Sequence, residues 1–132
     1  MDAAAFDRTY RKRLEPLATT NIADALDALG IHRSAYGIVP MNGTVQKIIG
    51  RAVTVKITAA GMTRSTTHMC IRAIAEAERG DVIVIDNGGR LDSNCWGGLT
   101  SYAAKLAGIS GAVIDGACRD IDEYDEVGFP VF

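Results

Sequence analysis

DVIVIDNGGRLDSNCWGGLTSYAAKLAGISGAVIDGACRD, residues 81–120, is the stretch whose reading decides the fold. It holds two continuous apolar runs, DVIVID at 81–86 and GAVID at 111–115, each closing on an aspartate. Runs apolar at every position suit strands covered on both faces better than half-exposed ones. Between them a segment starting near Gly98 places Leu99, Tyr102, Ala103 and Leu106 on one helical stripe and stops at Gly108, where a left-handed C-terminal residue is wanted. Strand, helix and strand predict parallel neighbours joined by a right-handed crossover, with both strands ending at the same edge of the sheet. The loops that follow, 87–98 and 116–120, then face each other at the carboxyl edge, which is where open α/β sheets bind ligands.

Outward from this unit the fold class is α/β, with a compact mixed sheet core flanked by helices. Upstream, Ile22, Ala25, Leu26 and Leu29 define a helical face that begins at a Thr19-Thr20-Asn21 cap and ends at Gly30. A second helix from about Thr67 turns Cys70, Ala73, Ile74 and Ala77 inward, with Gly80 as its stop, and a short one runs from about Asp120 to Val127 before Gly128. Thr44–Ile49 and Ala52–Thr58 read as strands with a tight hairpin or bulge at Gly50-Arg51, and Phe129–Phe132 begins another.

The 132 residues suit a single domain, residues 1–132, that buries roughly two thirds of its unfolded surface. A net charge of -2 gives no suggestion of a phosphate-backbone footprint, so no nucleic-acid partner is expected. Arg8, Arg11, Lys12 and Arg13, the only basic cluster, read as a solvated helix face. No apolar run approaches a membrane span and the N-terminus lacks a signal-peptide core, so a cytoplasmic location is expected. Cys70, Cys95 and Cys118 are odd in number and form no C-x-x-C pair, which fits reduced thiols; a zinc site would need His68 with them and lacks the spacing.

At the predicted ligand edge, Gly97 and Gly98 expose N–H groups at a helix start, and the backbone of Gly97, Gly98, Leu99 and Thr100 makes a candidate anion site. The same glycines would also serve simply as turn residues. The pattern is neither G-x-G-x-x-G nor a P-loop, which argues against nucleotides. Arg119 and Asp120 follow the second strand directly: Asp120 can give an oxygen to a hard ion such as Mg2+, and Arg119 can grip a carboxylate or stabilise an enolate. Equally, Asp120 with Glu123 three residues on spells a helix cap and its capping-box partner, and Arg119 would then pair with Asp122 or Asp115. His68 reads as a locally bonded residue, His32 as a loop residue, Trp96 as either pocket wall or core, and Asp24 and Asp27 as solvated.

GRAVTVK at 50–56, RGDVIVIDNGGR at 79–90, CWGGLTSYAAKLAGISGAVIDGACRDIDE at 95–123 and GFPVF at 128–132 together resemble the family that contains 4-hydroxy-4-methyl-2-oxoglutarate aldolase and the regulator of RNase E activity. The resemblance implies a layered core of the swivelling β/β/α type and a trimer with sites at subunit interfaces. In the aldolase branch it implies a class II retro-aldol reaction, or oxaloacetate decarboxylation, in which Mg2+ or Mn2+ chelates the keto-acid end of the substrate and stabilises a pyruvate enolate. Asp120 would be the metal ligand, Arg119 would polarise the keto oxygen, and the amides of Gly97–Thr100 would hold the carboxylate. A Schiff base is disfavoured, because Lys47, Lys56 and Lys105 have no evident place at this edge. The regulatory branch implies instead a non-catalytic protein that binds a ribonuclease.

Two departures stand out. The aldolase pattern carries an acidic residue, then twenty residues, then Arg-Asp, and that acidic position falls here on Gly98. A compensating carboxylate would have to come from Asp86, Asp92 or a neighbouring subunit. Relatives also continue past the GFPVF strand, so the chain is expected to lack the family's C-terminal strands and to expose an apolar edge there.

Overall fold

The computed structural model describes residues 1–41, 43, 47–62 and 64–132. In chain order these form α1 (Ala3–Phe6), a π-helical turn (Asp7–Arg11), α2 (Lys12–Leu14), α3 (Thr19–Ala28), β1 (Ala52–Lys56), α4 (Met69–Glu76) and β2 (Val82–Asp86). There follow β3 (Asn94–Trp96), α5 (Gly98–Ala107), β4 (Gly111–Asp115), β5 (Ala117–Cys118) and α6 (Ile121–Val127).

Strands β1, β2 and β4 lie side by side in that order, all parallel, with Lys56, Asp86 and Asp115 level at the carboxyl edge. The crossover expected between DVIVID and GAVID is therefore present, and β1 enters as a third parallel strand. Beyond β4 the GFPVF run continues the sheet through an Ala112–Val131 bridge, with the Ile114 N–H donating to Phe132 O at 2.9 Å. A second, two-stranded parallel ladder pairs β3 with β5. The expected hairpin at Gly50-Arg51 is absent: β1 pairs with β2, and residues 47–49 are not a strand. The rest of the proposed first strand, 44–46, lies outside the described residues. Gly50 serves a close approach, since a Cβ there would sit 2.2 Å from Gly80 O.

The core gathers Ile83 and Ile85 of β2, Cys70, Ala73 and Ile74 of α4, and Trp96, Tyr124, Phe129 and Val131. The inward face read for α4 is therefore correct, but its stop is not. The helix ends at Glu76, and Gly80, at φ +88°, makes a later turn in which its N–H donates to Gly108 O. On α5 the expected face is reversed. Thr100, Ser101 and Ala104 are buried, while Leu99, Tyr102 and Leu106 are 79%, 54% and 68% exposed. Ser101 is drawn in because its Oγ accepts the Trp96 indole N–H at 2.8 Å, and Trp96 stacks on Phe129 with ring centroids 6.1 Å apart. No residue of α3 is fully buried among the described residues either, and Ile22 and Leu29 of its stripe are exposed.

Charge is concentrated at the amino edge. Buried Asp81 accepts two hydrogen bonds from Arg51, at 2.8 and 2.7 Å, and a third from the Glu78 N–H. Arg11 does not lie on a solvated face as expected, for it donates to Ile49 O at 2.7 Å and Gly80 O at 3.1 Å. Among the described residues no helix is long and apolar enough to cross a membrane.

Two tests follow from the packing. Ile83→Ala, emptying a fully enclosed site, should lower the unfolding free energy by about 2–5 kcal/mol in urea titrations, and Ser101→Ala, stranding the Trp96 donor, by about 1–3 kcal/mol. Burial, with Cys70 and Cys118 beside it, pushes the Cys95 thiol up to about 11 from 9.0. A raised folded value means that its stabilising contribution is whole below pH 9 and is lost as pH climbs toward 11. Between those limits Cys95→Ala should therefore lose less stability than the parent, as read from urea midpoints at each pH.

Candidate functional site

The loops after β2 and β4 face each other as the parallel register demands. The N–H groups of Asn87 and Gly89 reach Asp115, at its backbone oxygen (3.1 Å) and at Oδ2 (3.1 Å), and the Ala117 N–H donates to Arg90 O at 2.9 Å. The β3–β5 ladder then carries the two loops forward together, and the Arg119 N–H donates to Trp96 O at 3.1 Å. Trp96-Gly97-Gly98 is in this way laid against Arg119-Asp120. Trp96 itself belongs to the core rather than to a pocket wall.

Asp120 is the one non-glycine at positive φ among the described residues, at φ 59° and ψ 43°. Left-handed backbone at a non-glycine costs of order 1–3 kcal/mol and persists where surrounding contacts over-determine it. Here the contacts are specific. Asp120 Oδ2 accepts the Gly98 N–H at 3.2 Å, and the buried Tyr124 hydroxyl donates to Arg119 O at 2.7 Å. A Cβ on Gly97 would come within 2.8 Å of Asp120 Oδ2 and 3.3 Å of Arg119 Cγ, so any other residue there would push these side chains aside.

The capping reading of Asp120 is half right. The residue stands at the N-cap of α6, but its side chain makes no bond to that helix and caps the first amide of α5 instead. Nor does Glu123 turn back in a capping box. Its carboxylate lies over Gly98, with Oε2 1.6 Å from where a Cβ on residue 98 would be. Arg119 pairs with Asp120, Nε to Oδ2 at 3.3 Å, rather than with Asp122 or Asp115, and its side chain is 69% exposed.

Of the four amides expected to form an anion site, two have protein partners. The Gly97 N–H donates to Thr100 Oγ1 at 3.0 Å and the Gly98 N–H to Asp120, which leaves Leu99 and Thr100 as the other first-turn donors. The Leu99 side chain points to solvent, and the Thr100 hydroxyl donates back to Gly97 O at 2.7 Å.

The carboxylates named as substitutes for one at position 98 are engaged elsewhere. Asp86 pairs with Lys56, whose ammonium, aided by the Gly88 N–H, holds its pKa below the usual carboxylate value. Asp92 takes Arg90 in a two-pronged contact at 3.0 and 2.8 Å. Lys47 donates to Glu15 O and Leu17 O, and Lys105 to Gly128 O. His68 caps α4, its Nδ1 accepting the Ile71 N–H at 3.5 Å, and exposed His32 lies 3.0 Å from Asp27. The Cys70 and Cys95 thiols donate to Cys95 O and Ala117 O.

Sequence reasoning missed two residues here. Tyr124, buried at the fourth position after Asp120, pins the strained turn from within the core. Asn87 is 1% exposed, with its Nδ2 donating to Ser93 O and its Oδ1 without a protein partner among the described residues. An i, i+4 spacing from Asp120 was the available signal for Tyr124; nothing in the sequence singles out Asn87. Among the described residues no three His, Cys, Asp or Glu side chains gather as a metal set; what the site offers a hard divalent ion is the Asp120 and Glu123 carboxylates at the Gly97-Gly98 cradle, with the Arg119 guanidinium alongside and the other positions left to water.

The family model described as RraA-like, Aldolase/RraA, matches residues 19–132. A Halalkalibacterium halodurans protein named "Putative 4-hydroxy-4-methyl-2-oxoglutarate aldolase" is 39% identical over 132 residues, covering 100% of this chain and 58% of that protein. Protein DlpA of Legionella pneumophila is 35% identical over 114 residues, 86% of this chain and 18% of its own length. Among solved structures, Streptomyces coelicolor RraAS2, described as an unusual member of the RNase ES inhibitor RraA protein family, matches with a TM-score of 0.76 at 26% identity, over 91% of this chain and 59% of that one. The chain thus spans little more than half the length of the Halalkalibacterium relative and less than a fifth of the Legionella one. With the sheet order, the paired loops and the matched residues in agreement, the chain belongs to the RraA-like family.

Proposed function

We propose that the chain is a divalent-metal-dependent lyase of the class II aldolase kind, releasing pyruvate from a 4-hydroxy-2-oxo acid or, with the same groups, decarboxylating oxaloacetate. The observation that carries this reading is Asp120, held in a left-handed conformation beside Arg119 and the start of α5. Asp120 is the residue that would hold Mg2+ or Mn2+, which when bound supplies Lewis acidity at the keto oxygen.

The remaining work falls to groups of the chain. The exposed Arg119 side chain is free to turn from Asp120 toward a substrate oxygen and to balance the negative charge that grows there in the transition state. The substrate carboxylate is matched by the first-turn N–H groups of Leu99 and Thr100 at the positive end of α5. In the retro-aldol direction water takes the proton of the 4-hydroxyl, C4 becomes the carbonyl of the departing fragment as the C3–C4 bond breaks with its electron pair moving toward the keto oxygen, and a proton from water returns to C3 to give pyruvate. In the decarboxylation the bond that breaks is the one to the departing carboxylate.

The exposed stripes favour self-association. Leu99, Tyr102 and Leu106 on α5, with Ile22 and Leu29 on α3, leave two apolar faces open. Assembly as a homotrimer would cover them, and retained thiols accord with a cytoplasmic location. A second reading, a non-catalytic protein that binds a ribonuclease, is favoured by Gly98, which brings no carboxylate of its own, and by the description of the Streptomyces neighbour.

Pyruvate release from 4-hydroxy-4-methyl-2-oxoglutarate and from oxaloacetate tests the lyase. Turnover should require Mg2+, vanish in EDTA, fall at least about 100-fold in Asp120→Ala, and fall by about 10²–10³ in Arg119→Gln. No metal-dependent turnover on any 4-hydroxy-2-oxo acid or oxaloacetate, together with inhibition of a ribonuclease, would establish the second reading instead. Light scattering of the purified chain should give three times the monomer mass, and Leu106→Glu should reduce it.

A further inference from the structure

We propose that Glu123 is the second carboxylate of the Asp120 site, delivered from the first turn of α6 into the space left by the missing side chain at residue 98. The inference rests on the metal-dependent reading above and deepens it.

The geometry is unusual for a surface glutamate. Glu123 lies in the first turn of α6, three residues past Asp120, whose left-handed backbone stands just ahead of that helix. Both then converge on one backbone unit of a different helix. Asp120 Oδ2 accepts the Gly98 N–H at 3.2 Å, and Glu123 Oε2 and Cδ lie 1.6 and 2.5 Å from the ideal Cβ position of the same residue. The Glu123 carboxylate therefore occupies the volume that the first atoms of a side chain at 98 would take. It has neither a hydrogen bond nor an ion pair among the described residues, whereas Asp86, Asp92, Asp81 and Glu78 are each tied to a lysine or an arginine.

Two carboxylates brought to one residue, Asp120 at its amide and Glu123 at its Cβ position, with a single guanidinium beside them, repel each other unless a cation lies between. A hard divalent ion also wants more oxygens than Asp120 alone provides. Glu123 meets both requirements, either by direct ligation or by holding a metal-bound water, and in the second case it is a positioning residue. The arrangement makes a structural prediction as well: a carboxylate rooted at residue 98 and the Glu123 carboxylate compete for one place, so exchanging them should preserve the site.

Mn2+ binding to the full chain, followed by the loss of the free-ion electron paramagnetic resonance signal, tests this without turnover. Glu123→Gln should weaken Mn2+ binding by about 10–100-fold while leaving the urea midpoint near that of the parent. Gly98→Asp in a Glu123→Ala background should bring the affinity back to within a few-fold of the parent, and Asp120→Asn serves as the variant that loses the ion. Parent-like Mn2+ binding by Glu123→Gln, alongside loss in Asp120→Asn, would overturn the role of Glu123 and leave the metal-dependent reading standing. Failure of the parent itself to bind Mn2+ would overturn both. A Glu123→Gln variant with unchanged affinity but a lowered urea midpoint would mark Glu123 as a partner of the α5 dipole alone, and the proposal would fall.

Discussion

The parallel β3–β5 ladder, which lays Trp96-Gly97-Gly98 against Arg119-Asp120, is the constraint on which the rest of this structure depends. A Cβ at 97 would meet the Asp120 and Arg119 side chains and one at 98 the Glu123 side chain, which would have to turn aside. Through the ladder the Arg119 N–H reaches Trp96 O, and α5 begins beside the turn that ends the second loop. The consequences pass inward: Trp96 is fixed against Phe129 and Ser101, and Tyr124 is fixed under Arg119. The contact that shapes the site is thus continuous with the core.

The two ends of the sheet divide stability from chemistry. At the amino edge the ionic groups are saturated. Arg51 serves Asp81, Glu78 and Met1 O, Arg11 closes over Gly80 and Ile49, and Gly50 lets the strands pass within reach of each other. At the carboxyl edge the polar groups are only partly matched, with a strained aspartate, an exposed guanidinium and a glutamate that meets no counter-charge among the described residues. Saturated ion pairs resist rearrangement and offer a ligand nothing, whereas under-matched charge at a pinned backbone is what a ligand can satisfy.

How much of this was legible in the sequence depends on the range of the interaction involved. The parallel β2–β4 pair, the facing loops at its carboxyl edge and the adjacency of Arg119-Asp120 to the glycines came from local apolar runs and one chirality rule, both of which tertiary context rarely overturns. Gly50 and Gly80 were misread because a glycine needed for close approach looks identical in sequence to one needed for a turn or a helix stop. The Asp120–Glu123 spacing was read as a cap, since a capping box and a pair of carboxylates aimed at another helix share one spelling. Which it is depends on a left-handed turn set by Tyr124 and by residues more than twenty positions upstream. The family pattern identified the missing acid at 98, but the chain's own candidate to replace it appears only once α6 is docked on α5.

The reversed face of α5 carries a separate lesson about what hydrophobic periodicity reports. Leu99, Tyr102 and Leu106 recur at helical spacing as a buried stripe should, yet small residues, Ser101 and Ala104, are the ones that pack inside. Close packing of α5 against α4 and α6, with Trp96 beside it, leaves its inner face to small side chains. The large ones are therefore turned outward, as on α3, where no residue is fully buried. Periodicity says that a face is built to be covered; it does not say by which surface. That α5 also begins at the Asp120 site ties the two matters together, because whatever settles on the Leu99 stripe comes to rest one residue from the amide that Asp120 holds.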